Sequence, residues 1–204
     1  MAAHSISKST LSRLPLYLEF LKTHAEDGPA YISAAAIAQA LGLGEVQVRK
    51  DLASVSTAGR PKVGYQVTQL VGELENFLGY DNKSRVVVVG TGRLGRALLE
   101  YEGFQSYGLE IVAGFDLNPP ENPPKPIYSM HELAAYCREH QVEIGVLAVP
   151  TAVAQQVCDQ MVKCGIRAIL NFAPVHLSAP AGILVHNENI AVSLAMLSEH
   201  LNQE

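Results

Sequence analysis

Long apolar runs are missing from this 204-residue chain. No stretch reaches the roughly 20 residues that a membrane-crossing helix needs. Residues 1–10 are polar, include Lys8 and lack an apolar centre, so a secretory leader is not expected. Cysteine is scarce. Cys137, Cys158 and Cys164 match no zinc-binding spacing, and three such residues in a reduced compartment read as free thiols. These absences point to a cytoplasmic protein with no membrane and no metal partner. Excess positive charge is also lacking: the formal net charge is −5, which excludes indiscriminate nucleic-acid binding. Catalytic groupings are missing too. His4, His24, His131, His140, His176, His186 and His200 stand in no hydride-transfer or triad setting.

What the chain does have is an uneven distribution of charge. Up to residue 80, seven acids balance seven bases, so the whole deficit lies further on. Four of those bases, Arg49, Lys50, Arg60 and Lys62, fall within 14 positions. A basic patch on an acidic protein suits a site-specific nucleic-acid binder. Apolar periodicity predicts a helix over 12–23, with Leu14, Tyr17, Leu18 and Leu21 on one stripe. Ser33 reads as the N-cap of a second helix over 34–41, ended by Gly42. A third follows over 45–54, with Val46, Leu52 and Val55 expected to face inward. Helix, short glycine turn and helix make a helix-turn-helix. Its outer face would offer Gln47, Arg49 and Lys50 to base edges and phosphates. The turn-rich segment 57–65 has the length of a wing, with Arg60 and Lys62 placed to meet a phosphate backbone. An amphipathic helix over 66–78 and a polar linker over 79–84 put a domain boundary near residue 80.

Beyond that boundary, four consecutive valines, 86–89, read as a strand buried on both faces. Gly90-Thr91-Gly92-Arg93-Leu94-Gly95 then fits G-x-G-x-x-G at the start of a helix. Such glycines permit a tight turn, a bare backbone for a pyrophosphate, and close helix–strand packing. The helix N-terminus would hold the phosphate. A second strand, 109–116, ends in Asp116, 21 positions after Gly95. An acid there hydrogen-bonds the adenosine ribose, and with no base directly following it favours NAD over NADP. Further strands are expected at 127–128, 143–150, 166–171 and 183–186, alternating with helices over 130–140 and 151–164. That alternation implies a parallel sheet covered on both faces. Val149, Pro150, Asn171, Phe172, Ala173 and Pro174 end two of these strands and are expected beside the nicotinamide, with Phe172 as a wall. A final helix from 189 to 201 carries an apolar stripe that either closes the core or is exchanged between subunits.

Several of these segments resemble the Rex redox-sensing transcriptional repressors of bacteria, over nearly the whole length. They are Ser12-Arg13-Leu14, Val48-Arg49-Lys50-Asp51-Leu52, Val63-Gly64-Tyr65, the glycine motif, Phe115-Asp116, Ala148-Val149-Pro150 and Leu170-Asn171-Phe172-Ala173-Pro174. The resemblance implies an α/β chain with three parts: a winged helix-turn-helix DNA-binding domain (1–80), a Rossmann-like NAD(H)-binding domain (85–188) and a swapped C-terminal dimerisation helix (189–204). It implies a homodimer on double-stranded operator DNA, holding it with NAD⁺ or no ligand and releasing it with NADH. It implies no catalysis. Some members couple the domains through an Arg, a Tyr and an Asp. Here those places hold Glu19, Tyr101 and Asn189, so a regulator with lost or altered redox sensing is the alternative reading. A small NAD-dependent oxidoreductase is the third, disfavoured because too few residues remain for a substrate domain.

Overall fold

A computed structural model describes residues 6–80, 82–121 and 123–201. Residues 1–5 of the polar start, Asp81 in the expected linker, Asn122 in the proline loop and the last three residues lie outside the described set. The chain divides into two compact units, Met1–Asn82 and Lys83–Glu204.

The first unit is built on α1 (Lys8–Asp27), which is longer at both ends than its apolar stripe predicts. Ser7 caps it, accepting from the Thr10 N–H at 3.1 Å. This cap starts the helix four residues before the expected 12. Next come α2 (Ala34–Leu41), capped by Ser33 and ended by left-handed Gly42, and α3 (Glu45–Ala53). α4 (Val67–Leu78) closes the unit. Leu14, Tyr17, Leu18, Leu21, Ile37, Val48, Leu52, Leu70 and Leu74 form its core.

Within α3 the inward face differs from the one the sequence predicts. Val46 is 62% exposed, and Val48 is the buried valine. Val48, Asp51, Leu52 and the half-buried Val55 follow an i, i+3, i+4, i+7 stripe, which leaves Val46 on the far side of the helix. A second feature escapes sequence reading. β1 (Tyr31–Ile32) pairs antiparallel with β2 (Tyr65–Gln66) and anchors the segment between α3 and α4.

The second unit is a six-stranded, wholly parallel sheet. Its strands are β3 (Ser84–Val89), β4 (Leu109–Asp116), β5 (Ile127–Ser129), β6 (Ile144–Leu147), β7 (Ala168–Asn171) and β8 (Leu184–Asn187). Their order is β5-β4-β3-β6-β7-β8, so the chain leaves β3 to one side and returns beside it at β6. The helices are α5 (Arg93–Glu100), α6 (Leu133–His140), α7 (Thr151–Lys163) and α8 (Ile190–Leu201).

Alternate residues of the central strands feed two cores. Val87, Val89, Phe115 and Leu147 pack with Leu133 of α6 and Cys158 and Met161 of α7. Val86, Val88 and Val146 pack with Leu99 of α5, and Ile144, Leu170 and Phe172 border that second cluster half-buried. α8 covers neither: Ile190, Val192, Leu194, Met196, Leu197 and Leu201 are all exposed. Six such side chains on one helix exceed the scattered apolar exposure of ordinary surfaces.

Candidate nucleotide and nucleic-acid sites

The switch point of an open parallel sheet opens a crevice at the carboxyl ends of its strands. Here that point lies between β3 and β6, where Gly90 and Ala148–Pro150 leave the sheet. Gly90 has φ +91, and a Cβ there would come 2.5 Å from the Ala148 carbonyl oxygen. Gly95 packs still closer, since a Cβ would sit 1.8 Å from the Gly90 oxygen. Gly92 differs: a Cβ would meet nothing within 4 Å. Two of the glycines therefore serve packing, and the third leaves backbone open to a ligand. Gly92 caps α5, whose first-turn N–H groups have no partner within the helix and carry its positive dipole end. Arg93 and Leu94 are exposed in that turn.

Asp116 closes the other side of the loop. Its Oδ2 accepts from the Thr91 N–H at 2.7 Å and the Thr91 hydroxyl at 3.0 Å, and its Oδ1 from the Asn118 N–H at 3.1 Å. Burial works against its ionisation, but the bonds from Asn118 and Thr91 outweigh it and hold the carboxyl below the usual range. Asp116 is thus an anion that fixes the glycine loop. Thr91 is buried, and its part in orienting that carboxylate is not legible from the motif. Arg96 adds a bond from Nε to the Thr91 carbonyl at 3.0 Å.

Beside Asp116 lies a cavity of about 310 Å³, at the lower end of the roughly 300–1,000 Å³ typical of ligand sites. Gly90, Gly92, Asp116, Leu117, Val149, Pro150 and Val153 are among its walls, with Gln156 and Gln160 at the polar margin. The largely apolar walls, an anionic rim and open backbone suit an adenosine ribose and the adjoining pyrophosphate. Val149 and Pro150 share this cavity with Asp116. Val149 packs against the α6/α7 core and Phe172 against the opposite one.

Asn171, Phe172, Ala173 and Pro174 do not line this cavity. Asn171 is fully buried. Its Nδ2 donates to the carbonyls of Ala173 (3.1 Å) and Val175 (3.0 Å) and to Asn187 Oδ1 (2.9 Å), while its Oδ1 accepts from the Ala173 N–H (2.9 Å). Its amide is spent on shaping the turn. Asn189 accepts from the Val192 N–H at 3.1 Å and caps α8. Tyr101 is exposed, its ring edge-on to Phe104, and Glu19 is exposed on α1.

In the first unit, Gln47, Arg49 and Lys50 are exposed on α3. Arg49 is ion-paired with Glu45 one turn earlier. Arg60 and Lys62 stand on a tight hairpin closed by reciprocal backbone bonds between Arg60 and Gly64, both 2.9 Å. Lys62 adopts φ +65, a left-handed conformation unusual for lysine. Gly64 is obligatory, because a Cβ would approach the Ile32 oxygen to 2.2 Å.

Behind α3 a network missed in the sequence fixes the helix. The Asp51 carboxylate is buried and accepts from Arg13 Nε (2.7 Å) and Nη2 (2.9 Å), Tyr17 Oη (2.8 Å) and Thr10 Oγ1 (3.0 Å). Burial opposes its charge, yet bonds from Arg13, Tyr17 and Thr10 hold its carboxyl below the ordinary value. Burial, aided by the bond to Asp51, pushes Tyr17 up to about 12. Among the described residues no cluster could hold a metal ion, and no helix is long and apolar enough to cross a membrane.

A family model described as a CoA binding domain matches residues 81–175, and one described as a putative DNA-binding protein N-terminus matches residues 5–53. The redox-sensing transcriptional repressor Rex of Porphyromonas gingivalis is 40% identical over 94% of this chain and 90% of its own. This chain belongs to the Rex family. The Rex of Carboxydothermus hydrogenoformans is 38% identical across the full length of both proteins. Among solved Rex-family structures, RSP in complex with β-NAD⁺ and operator DNA superposes with a TM-score of 0.90 at 28% identity, covering 97% of this chain and 93% of that one. RSP in complex with β-NADH gives 0.87 over 98% and 95%. The relatives are named repressors, not enzymes, and the Rex fold of winged helix-turn-helix plus Rossmann-like sheet is the fold described above.

Proposed function

We propose that this Rex-family chain is a cytoplasmic repressor that binds operator DNA as a homodimer and is released by NADH. The observation that carries the reading is the pairing of open Gly92 with the anionic Asp116 beside one cavity. NAD or NADH would lie with its adenosine against Asp116, Val149 and Pro150 and its pyrophosphate over Gly92 and the first turn of α5, Arg93 and Leu94. The nicotinamide would run toward the turn holding Asn171, Phe172, Ala173 and Pro174. Gln47, Arg49 and Lys50 would meet the major groove, with Arg60 and Lys62 on the backbone. The uncovered α8, together with half-buried Ile144, Leu170 and Phe172, fits exchange of that helix between two copies. NADH then has only to bind better to the state that fits the operator less well.

A second reading rests on Glu19. An exposed carboxylate cannot donate as an arginine would, so coupling between the cofactor and the DNA end through that position is lost or differently wired. NADH fluorescence titration tests the site itself. One NADH per chain is expected, with Asp116→Ala weakening it about tenfold or more, as loss of a charge-assisted bond and of loop support implies. No saturable NADH binding would reject the cofactor reading.

A further inference from the structure

The turn over 171–175, toward which the nicotinamide would run, has its backbone donors engaged. The Phe172 N–H donates to the Leu147 carbonyl at 2.9 Å and the Ala173 N–H to Asn171 Oδ1 at 2.9 Å. The Val175 N–H donates to the Ala173 carbonyl at 2.7 Å, and Pro174 has no N–H. The Asn171 amide is occupied within the turn and by Asn187. Phe172 offers a ring an apolar wall, but residues 172–175 keep no backbone donor for the carboxamide oxygen.

The adenosine end is built the other way. Its cavity of about 310 Å³ lies at the small end of ligand sites, a size that suits one nucleotide better than two. Phe115, Leu117, Val149 and Val153 give it apolar walls. Asp116, an anion held by Thr91 and Asn118, lines it as an acceptor for a ribose hydroxyl. Gly92 leaves backbone open where a diphosphate would lie. The groups that hold a ligand therefore gather on one half of the dinucleotide. That half is identical in NADH and NAD⁺, so a redox response has to arise at the ring.

We infer that the site takes adenosine 5′-diphosphates with free ribose hydroxyls as a ligand class of their own. ADP and ADP-ribose then bind nearly as tightly as NADH and oppose it, without releasing the operator. The inference rests on the cofactor reading above. CoA carries a phosphate on its adenosine ribose. That phosphate would stand against the Asp116 anion, so CoA is rejected although the matching family model is described as a CoA binding domain.

Displacement of NADH fluorescence from the full-length protein by ADP, ADP-ribose and CoA tests it. ADP and ADP-ribose are expected to compete with inhibition constants within about tenfold of the NADH Kd, since affinity follows contact quality and not ligand size. CoA should compete at least about a hundredfold more weakly than ADP, and Asp116→Ala should narrow that gap to about tenfold. On operator duplex, saturating ADP alone should leave affinity within about twofold. At ten times its inhibition constant, ADP should raise the NADH needed for half-release by about tenfold. An ADP constant beyond that tenfold range would place the affinity on the nicotinamide and overturn the inference, leaving the cofactor reading intact. CoA competing as well as ADP, or ADP releasing the operator by itself, would overturn it too. No saturable NADH binding overturns both.

Discussion

Removing the Asp51 carboxylate perturbs the first unit at its most densely bonded point. Asp51→Ala deletes an acceptor shared by Arg13, Tyr17 and Thr10. Breaking a buried ion pair by truncating one partner costs about 3–5 kcal/mol, because the other charge is stranded. The Arg13 side chain is 18% exposed and Asp51 5%, so the guanidinium regains some hydration and a loss of about 3 kcal/mol is expected. Urea unfolding of the full chain, followed by circular dichroism, measures it. In the double variant Arg13→Ala/Asp51→Ala no guanidinium is stranded, so its loss should fall short of the summed single losses by at least about 1 kcal/mol. The pH dependence has a defined sign. The folded carboxyl titrates below its unfolded value of about 3.9. Its contribution is therefore complete above that pH and disappears as pH falls through the folded value, and the variant should lack that slope. A loss under about 1 kcal/mol, or strictly additive variants, would refute the placing of Asp51 as the anchor of α3.

Other changes separate packing from binding. Gly95→Ala should prevent the glycine loop from closing on α5 and destabilise the second unit. Gly92→Ala should change thermal stability by less than about 1 kcal/mol yet weaken NADH in a fluorescence titration, since its methyl stands where a pyrophosphate would approach; unaltered affinity would count against that placement. Lys62→Gly relieves a left-handed lysine but adds chain freedom, so stability should move by less than about 0.5 kcal/mol. The same variant should lower the salt slope of operator binding by about one. Leu194→Asp should turn a dimer into a monomer in light scattering with little change in secondary structure, and a persistent dimer would exclude α8 as its interface.

The parts of the fold legible in the sequence were those encoded locally. Four valines announced β3, and the motif glycines announced the turn because their mechanics permit little else. The place of Asp116 at the end of β4 is legible because the strand it ends is a mostly apolar run. What escaped depends on long-range pairing. β1 has two residues, and its partner lies more than 30 positions later. Asp51 reads as one of several charges on an exposed helix until Arg13 and Tyr17, 38 and 34 positions away, are folded against it. A valine early in a helix, as Val46 is, suggests an inward face until the stripe through Val48 and Leu52 fixes it. Asn171 reads only as the end of a strand beside a ligand crevice; the four hydrogen bonds that its amide makes within its own turn and to Asn187 depend on the folded chain.

Operator affinity across NADH/NAD⁺ ratios, at constant total nicotinamide nucleotide and salt, tests the coupling of the two units most directly. A redox-responsive repressor should hold a palindromic operator duplex at least about tenfold more weakly in NADH than in NAD⁺, a coupling of about 1.4 kcal/mol. Affinity independent of the ratio, with NADH binding intact, would contradict redox control and leave a DNA-binding regulator whose glycine loop no longer drives its α3 end.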